Sequence, residues 1–273
     1  MIHAKNGKVS ANGGEADYIC FGKGSRDFII LPGASDGFRT VKGLALPMLL
    51  FYRQFTDKYR VWMFSRRDDL PEGFTTADMA DDLAAAMEVL QIPHADVLGV
   101  SQGGMIAQQL AVRHQKYIDK LVLAVTAPCA NDIIREAVPQ WIEWAKESNF
   151  TDIMRDTAER SYTGAHLEKS LKQNQRYSKL MKPKNFTRAI RILESTLTHD
   201  ALERLPQIKA QTLILGAEKD RIVGAEASRE LHKLIPQSEC YIYPEYSHGV
   251  YEQAPDFYDR IQAFLADKDY AAG

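Results

Sequence analysis

Cysteine is scarce in this chain and is not arranged for chemistry. Cys20, Cys129 and Cys240 are odd in number, far apart and in no metal-binding spacing. That argues against a disulfide framework or a zinc site and for buried free thiols. None of the three lies at a turn that would present a nucleophile. His-Glu-x-x-His, clustered Cys and His, and a phosphate loop are also missing, so no metal and no cofactor is expected. Gly22-Lys23-Gly24 begins like a dinucleotide fingerprint but lacks the third glycine and the following helix. No apolar run approaches membrane-spanning length. The stretch Met1 to Asn6 lacks the apolar core of a signal peptide, so the expected compartment is the cytoplasm. Charge of one sign is not in excess either: the formal net charge is −2, which gives no reason to expect nucleic acid as a partner.

What is present is an alternation of apolar strands and amphipathic helices in 273 residues, ample for one large domain or one domain with an insertion. Lys8 to Ser10 and Tyr18 to Phe21 flank Asn12-Gly13-Gly14, a hairpin turn signal. Further strands are expected at Asp27 to Leu31, Tyr59 to Phe64, Asp96 to Val100, Lys120 to Val125, Thr212 to Gly216 and Glu239 to Tyr243. A helix starting at Thr76, with Met79, Leu83, Met87 and Leu90 at helical spacing, lies among them, as does one from Ala225 to Leu234. Strand, helix, strand, helix, strand implies a mostly parallel sheet of about eight strands with helices on both faces. The rhythm breaks between Asn131 and Leu205, where no strand is expected. There Ile134, Val138, Trp141 and Ala145 share one helical face, and Phe186, Ile190, Leu193 and Leu197 another. The expected division is a core at 1–128, a helical insertion at 129–205 and the rest of the core at 206–273. The insertion carries Lys169, Lys172, Arg176, Lys179, Lys182, Lys184, Arg188 and Arg191, read first as a solvated face and second as a clamp for an anionic substrate.

The chain is organised around Asp96-Val97-Leu98-Gly99-Val100-Ser101-Gln102-Gly103-Gly104, a buried strand running through G-x-S-x-G into a helix. A serine at so sharp a turn is forced into a strained backbone with Oγ pointing outward. Residues two before and two after it approach neighbouring backbone, which leaves room only for glycine. The turn also sets Ser101 and the Gln102 amide at a helix N-terminus, where free N–H groups and the dipole favour negative charge.

A serine hydroxyl needs a base within reach, and the base needs a group to hold its tautomer. In open parallel sheets such groups sit in loops beyond the carboxyl ends of strands. His248 alone among the histidines is so placed, after the last strand. Asp220 follows the preceding strand by a few residues, with Glu218 as the rival acid.

Gly99-Val100-Ser101-Gln102-Gly103, Leu215-Gly216-Ala217-Glu218-Lys219-Asp220 and Ser247-His248-Gly249 together resemble the α/β-hydrolase family, in that family's order of serine, acid, histidine. The resemblance implies a Ser101–His248–Asp220 triad. It also implies an oxyanion hole from the amides of Gln102 and of Ala34, in Leu31-Pro32-Gly33-Ala34, where many relatives carry His-Gly in place of Pro32-Gly33. The insertion matches the family's helical cap in position, and Trp141, Trp144, Tyr162 and His166 are candidate pocket residues. The implied reaction is hydrolysis of a small carboxylic ester or lactone through an acyl-enzyme. The alternatives are cleavage of a carbon–carbon bond in a β-diketone, cleavage of an N-terminal proline amide, and a non-catalytic receptor on a hydrolase shell. The implied partner is a small-molecule substrate.

Overall fold

The computed structural model describes residues 3–178, 180–268 and 270. A hairpin of β1 (Ala4–Ala11) and β2 (Gly14–Phe21) comes first. It turns at Asn12 and Gly13, at φ 48° and 74°, the left-handed pair that a two-residue hairpin needs. Then follow β3 (Arg26–Leu31), α1 (Ala45–Phe51), β4 (Tyr59–Phe64), α2 (Thr76–Val89), β5 (Ala95–Val100), α3 (Gln102–Arg113) and β6 (Ile118–Ala124). Four helices come next with no strand of the sheet between them: α4 (Asp132–Lys146), α5 (Phe150–Ser161), α6 (Gly164–Tyr177) and α7 (Thr187–Leu197). The alternation resumes with β7 (Gln211–Ala217), α8 (Ala225–Leu234), β8 (Ser238–Tyr243), α9 (Val250–Gln253) and α10 (Phe257–Leu265).

Among the described residues, eight strands form one sheet in the order β1-β2-β4-β3-β5-β6-β7-β8. The pairs β1–β2 and β2–β4 are antiparallel, and the remaining pairs are parallel. The central strands are apolar throughout because both faces are covered. Val97 of β5 joins the layer under α2, α3 and α8, whereas Leu98 joins the opposite layer under α1 and α10. Leu123 and Val122 of β6 divide in the same way, as the two-residue period of a strand requires. The start of α2 is held by a reciprocal cap. Thr75 Oγ1 accepts from the Asp78 amide at 3.2 Å and the Asp78 carboxylate accepts from the Thr75 amide at 2.8 Å. A capping residue of this type is typically worth about 1 kcal/mol.

In the helical insertion, α4 buries Ile134, Val138, Trp141 and Ala145, as their spacing predicts, and α7 buries Ile192 and Leu193. Helix α7 lies directly on the turn Ala34–Gly37 that follows β3. A Cβ on Gly37 would stand 2.7 Å from the Ala189 Cα. Lys169, Lys172, Lys182 and Lys184 are exposed, which suits a solvated face, and Lys179 lies outside the described residues. Arg188 departs from the expectation. It turns inward and places Nη2 2.5 Å from Asp36 Oδ2. The three cysteines are free and half-buried, less covered than interior thiols would be. Among the described residues, no helix is long and apolar enough to cross a membrane.

Parallel pairing sets Leu31 beside Gly99, Val100 beside Ala124, Ala124 beside Leu215, and Ala217 beside Tyr243. The carboxyl ends of β3, β5, β6, β7 and β8 therefore share one rim. The loops leaving that rim carry Ala34, Ser101, Asp220 and His248, which are far apart in sequence.

Candidate active site

Ser101 is the residue between β5 and α3, and its backbone is strained: φ is 54° and ψ −122°. A non-glycine residue with positive φ outside the left-handed helical well costs roughly 1–3 kcal/mol and persists only where its surroundings enforce it. The enforcement is visible. The Ser101 amide donates to Ala124 O at 2.9 Å, while its carbonyl accepts from the Gly104 amide at 2.8 Å. A Cβ on Gly99 would come 2.6 Å from Gly103 O, and one on Gly103 only 2.1 Å from Leu31 O. Both contacts are with backbone, which cannot swing aside, so the glycines at −2 and +2 are a steric requirement of the turn.

His248 comes to this serine from the loop after β8. Its Nε2 lies 3.0 Å from Ser101 Oγ and its Nδ1 2.8 Å from Asp220 Oδ2. The other oxygen of Asp220 accepts from the amides of Ile222 and Val223 at 2.8 and 2.9 Å. Burial pushes the Asp220 carboxyl up. The charge and hydrogen bond of His248, with the Val223 and Ile222 amides, outweigh it and hold the group below the ordinary 3.8. Asp220 is thus an anion at neutral pH, facing Nδ1. That arrangement leaves Nε2 free of a proton and able to accept one from Oγ. Glu218 is exposed and paired with Arg229 at 2.6 Å, so geometry decides between the two acids in favour of Asp220.

Among the described residues, the Gln102 and Ala34 amides have no hydrogen-bond acceptor. Gly33 passes close over the serine, where an added Cβ would lie 3.4 Å from Ser101 Cβ. Two free N–H groups beside the serine hydroxyl are an arrangement that could hold an oxyanion.

The four aromatic candidates are spread out. Trp144 is half-buried at the junction of two apolar clusters, in the company of Ile190. Trp141 is buried between α4 and α5, with its indole N–H 2.7 Å from Asp156. Tyr162 lies against Gly249, the neighbour of His248, and donates to Glu252 at 2.7 Å. His166 packs on Tyr162 with ring centroids 4.6 Å apart.

Sequence reasoning missed a buried arginine behind the Ala34 and Gln102 loops. Arg66, in a stretch read as a charged loop, is almost fully enclosed and donates to Pro32 O and Gln102 Oε1. A charge pattern does not distinguish a buried arginine from a solvated one; only a buried acceptor cluster does. The insertion is also tied to the histidine loop. Ser247 Oγ donates to Arg160 O at 2.6 Å and the Gly249 amide to Ser161 O at 2.8 Å, which satisfies carbonyls left open at the end of α5.

Another buried histidine stands away from the serine. His199 Nδ1 is 2.8 Å from Thr76 Oγ1. Burial lowers its pKa to about 4 against the opposing pulls of Asp200 and the Ala127 carbonyl. A histidine kept neutral in the fold but free to protonate when unfolded contributes stability that is complete above about 6.5 and drains as pH falls towards 4. Between pH 7 and pH 5 the loss from this group is about 2 kcal/mol. Denaturant unfolding at the two pH values should show it, and His199→Gln should flatten that difference. Equal pH dependence in both proteins would exclude His199 as the source.

Comparison with known proteins agrees with this fold. Residues 53–255 match the family model described as the alpha/beta hydrolase fold. The AB hydrolase superfamily protein YisY of Bacillus subtilis strain 168 is 30% identical over 204 residues, covering 71% of this chain and 74% of that one. The 3-oxoadipate enol-lactonase 2 of Acinetobacter baylyi is 22% identical over 270 residues, 97% of this chain and 98% of the other. In fold, the chain is similar to MGS-M2, an alpha/beta hydrolase enzyme from a Medee basin deep-sea metagenome library. The TM-score is 0.85 at 20% identity, covering 98% and 99% of the two chains.

Proposed function

The chain belongs to the alpha/beta hydrolase family, and we propose that it cleaves small carboxylic esters or lactones with Ser101 as nucleophile. The observation that carries this is His248, which reaches Ser101 Oγ and Asp220 Oδ2 at 3.0 and 2.8 Å from its two ring nitrogens. His248 takes the Oγ proton as Oγ attacks the substrate carbonyl. The Ala34 and Gln102 amides receive the oxyanion, and the imidazolium, steadied by Asp220, protonates the leaving group. Water activated by His248 then releases the acid from the acyl-enzyme. For a lactone the leaving group remains tethered, and the product is a hydroxy acid. The enol-lactonase name of the Acinetobacter relative supports keeping lactones beside open esters.

The helices α4 to α7 serve as a cap over the serine. Their half-buried apolar side chains Trp144 and Ile190, with Ala34 below, offer an apolar wall. Tyr162 and His166 belong to its far side, near the histidine loop. A receptor would have no use for an ionised, doubly amide-bonded aspartate aimed at an imidazole that is itself aimed at a strained serine.

A fluorophosphonate probe tests the nucleophile, and four substrates test the class: an activated short ester, a small lactone, a β-diketone and a prolyl amide. The expected result is labelling at Ser101 with turnover of the ester or lactone. Absence of labelling would favour a receptor. Labelling with turnover confined to the diketone or the prolyl amide would move the enzyme to carbon–carbon or amide hydrolysis.

A further inference from the structure

The two backbone amides proposed for the oxyanion hole belong to different loops, so something must hold those loops at a fixed separation. The candidate is Arg66, just beyond β4, whose side chain is only 3% exposed. One nitrogen, Nη2, donates both to Pro32 O at 2.6 Å and to Gln102 Oε1 at 2.8 Å. Pro32 is two residues before Ala34, and Gln102 supplies the other amide itself. The chain of contacts continues upward. Gln102 Nε2 donates to Ile192 O at 2.6 Å and to Ser195 Oγ at 2.9 Å, both on α7.

Burial of this charge serves no evident packing purpose. Among the described residues, Nε and Nη1 of Arg66 have no hydrogen-bond partner, and Asp36 Oδ2, the carboxylate oxygen with which Nη1 pairs, is 3.9 Å away and lies 2.5 Å from Arg188. Two guanidiniums thus share one carboxylate, which leaves one positive charge over within the trio, just behind the loop that carries Ala34. Burial lowers the Arg66 pKa to about 10, with Asp36 opposing and Arg188 adding to the effect, and the group is still a cation at neutral pH. A fold that tolerates so costly a group is using either its directional bonds or its field, and both act at the same place.

We propose that Arg66 is a positioning residue that clamps the Pro32–Ala34 and Gln102 backbones at oxyanion-hole spacing, and that the Gln102 side chain keys this clamp to α7 of the cap. The idea rests on the hydrolase reading above. An arginine so placed binds no substrate. It acts on the transition state alone, because only there does charge develop on the oxygen that faces the two amides.

The test compares wild type with Arg66→Met, Arg66→Lys, Gln102→Ala and the Arg66→Met/Gln102→Ala double variant, on an ester that wild type turns over. Gln102→Ala keeps the backbone amide and removes only the side-chain link, so the clamp stays testable if Arg66→Met does not fold. The clamp predicts that kcat falls about 10²-fold, the scale of losing one oxyanion donor, while KM stays within about twofold. Inhibition by a boronic acid that mimics the tetrahedral intermediate should weaken in parallel with kcat. Arg66→Lys should recover part of the loss. The double variant should be little worse than either single one, since both break one link. A fall confined to KM, boronate affinity unchanged while kcat drops, or fully multiplicative losses would overturn the clamp. A wild type with no Ser101-dependent turnover would instead remove the hydrolase reading on which it stands.

Discussion

Replacing Ser101 by alanine is expected to lower kcat/KM on an activated ester by roughly 10⁴–10⁶-fold with the fold intact, the scale seen when serine nucleophiles are removed elsewhere. The size of the effect follows from the geometry. Without Oγ, the imidazole 3.0 Å away has no bonded nucleophile to deprotonate, and what remains is a pair of amides that stabilise the oxyanion formed when water attacks the carbonyl. Structure should survive because the bend does not depend on the hydroxyl. It is set by the hydrogen bond from the Ser101 amide to Ala124 O, by that from the Gly104 amide to Ser101 O, and by the two glycines that let neighbouring backbone approach. Alanine meets the same φ of 54°, so unfolding midpoints should agree closely. Steady-state kinetics with calorimetry on the same samples decide the matter. A variant retaining even a tenth of wild-type turnover would show that the reaction does not pass through this serine.

Asp220→Asn should be nearly as severe, about 10⁴-fold in kcat near neutral pH, and for a reason particular to this loop. Oδ1 accepts from two backbone amides, Ile222 and Val223. A side-chain amide can satisfy those donors only with its oxygen, which sends its NH2 group to the place of Oδ2, facing His248 Nδ1 at 2.8 Å. That NH2 must donate, so Nδ1 must accept, and the imidazole proton moves to Nε2. A ring protonated at Nε2 cannot take the proton of Ser101 Oγ. Glu218→Gln is the matching control. It alters an exposed ion pair with Arg229, and surface pairs of this kind are worth at most about 1 kcal/mol, so turnover should be unchanged. If Asp220→Asn lost less than about tenfold, the imidazole would have another orienting group.

Much of this was legible in sequence because it obeys short-range rules. The strands are continuous apolar runs, and their two-sided burial follows from the helices that alternate with them. The pentapeptide Gly99 to Gly103 announces a bend that few other residues could make, and the insertion declares itself by the disappearance of strand signals after Thr126. His248 could be chosen because it follows a strand at the rim where such sheets carry their chemistry. Asp220 was preferred to Glu218 through the family resemblance, since local rules alone do not separate two acids two residues apart in one loop. Their difference is one of direction, set by the Ile222 and Val223 amides. The aromatic residues of the insertion illustrate the same limit. Helical spacing places Trp141 and Trp144 close together along one helix, yet one indole is bonded into the interior to Asp156 and the other is half-buried between two clusters.

The sequence by itself determined the order of elements and the strained serine bend, because each depends on a few contiguous residues and on how a chain of L-amino acids can turn. Only the tertiary structure decided that Arg66 is buried and Arg188 turned inward, that Asp36 serves both, and that Gln102 joins the serine turn to α7. Those outcomes depend on where acceptors from distant parts of the chain come to rest. A polar side chain is buried or solvated according to the partners that folding brings to it, and the local sequence around it carries no record of them.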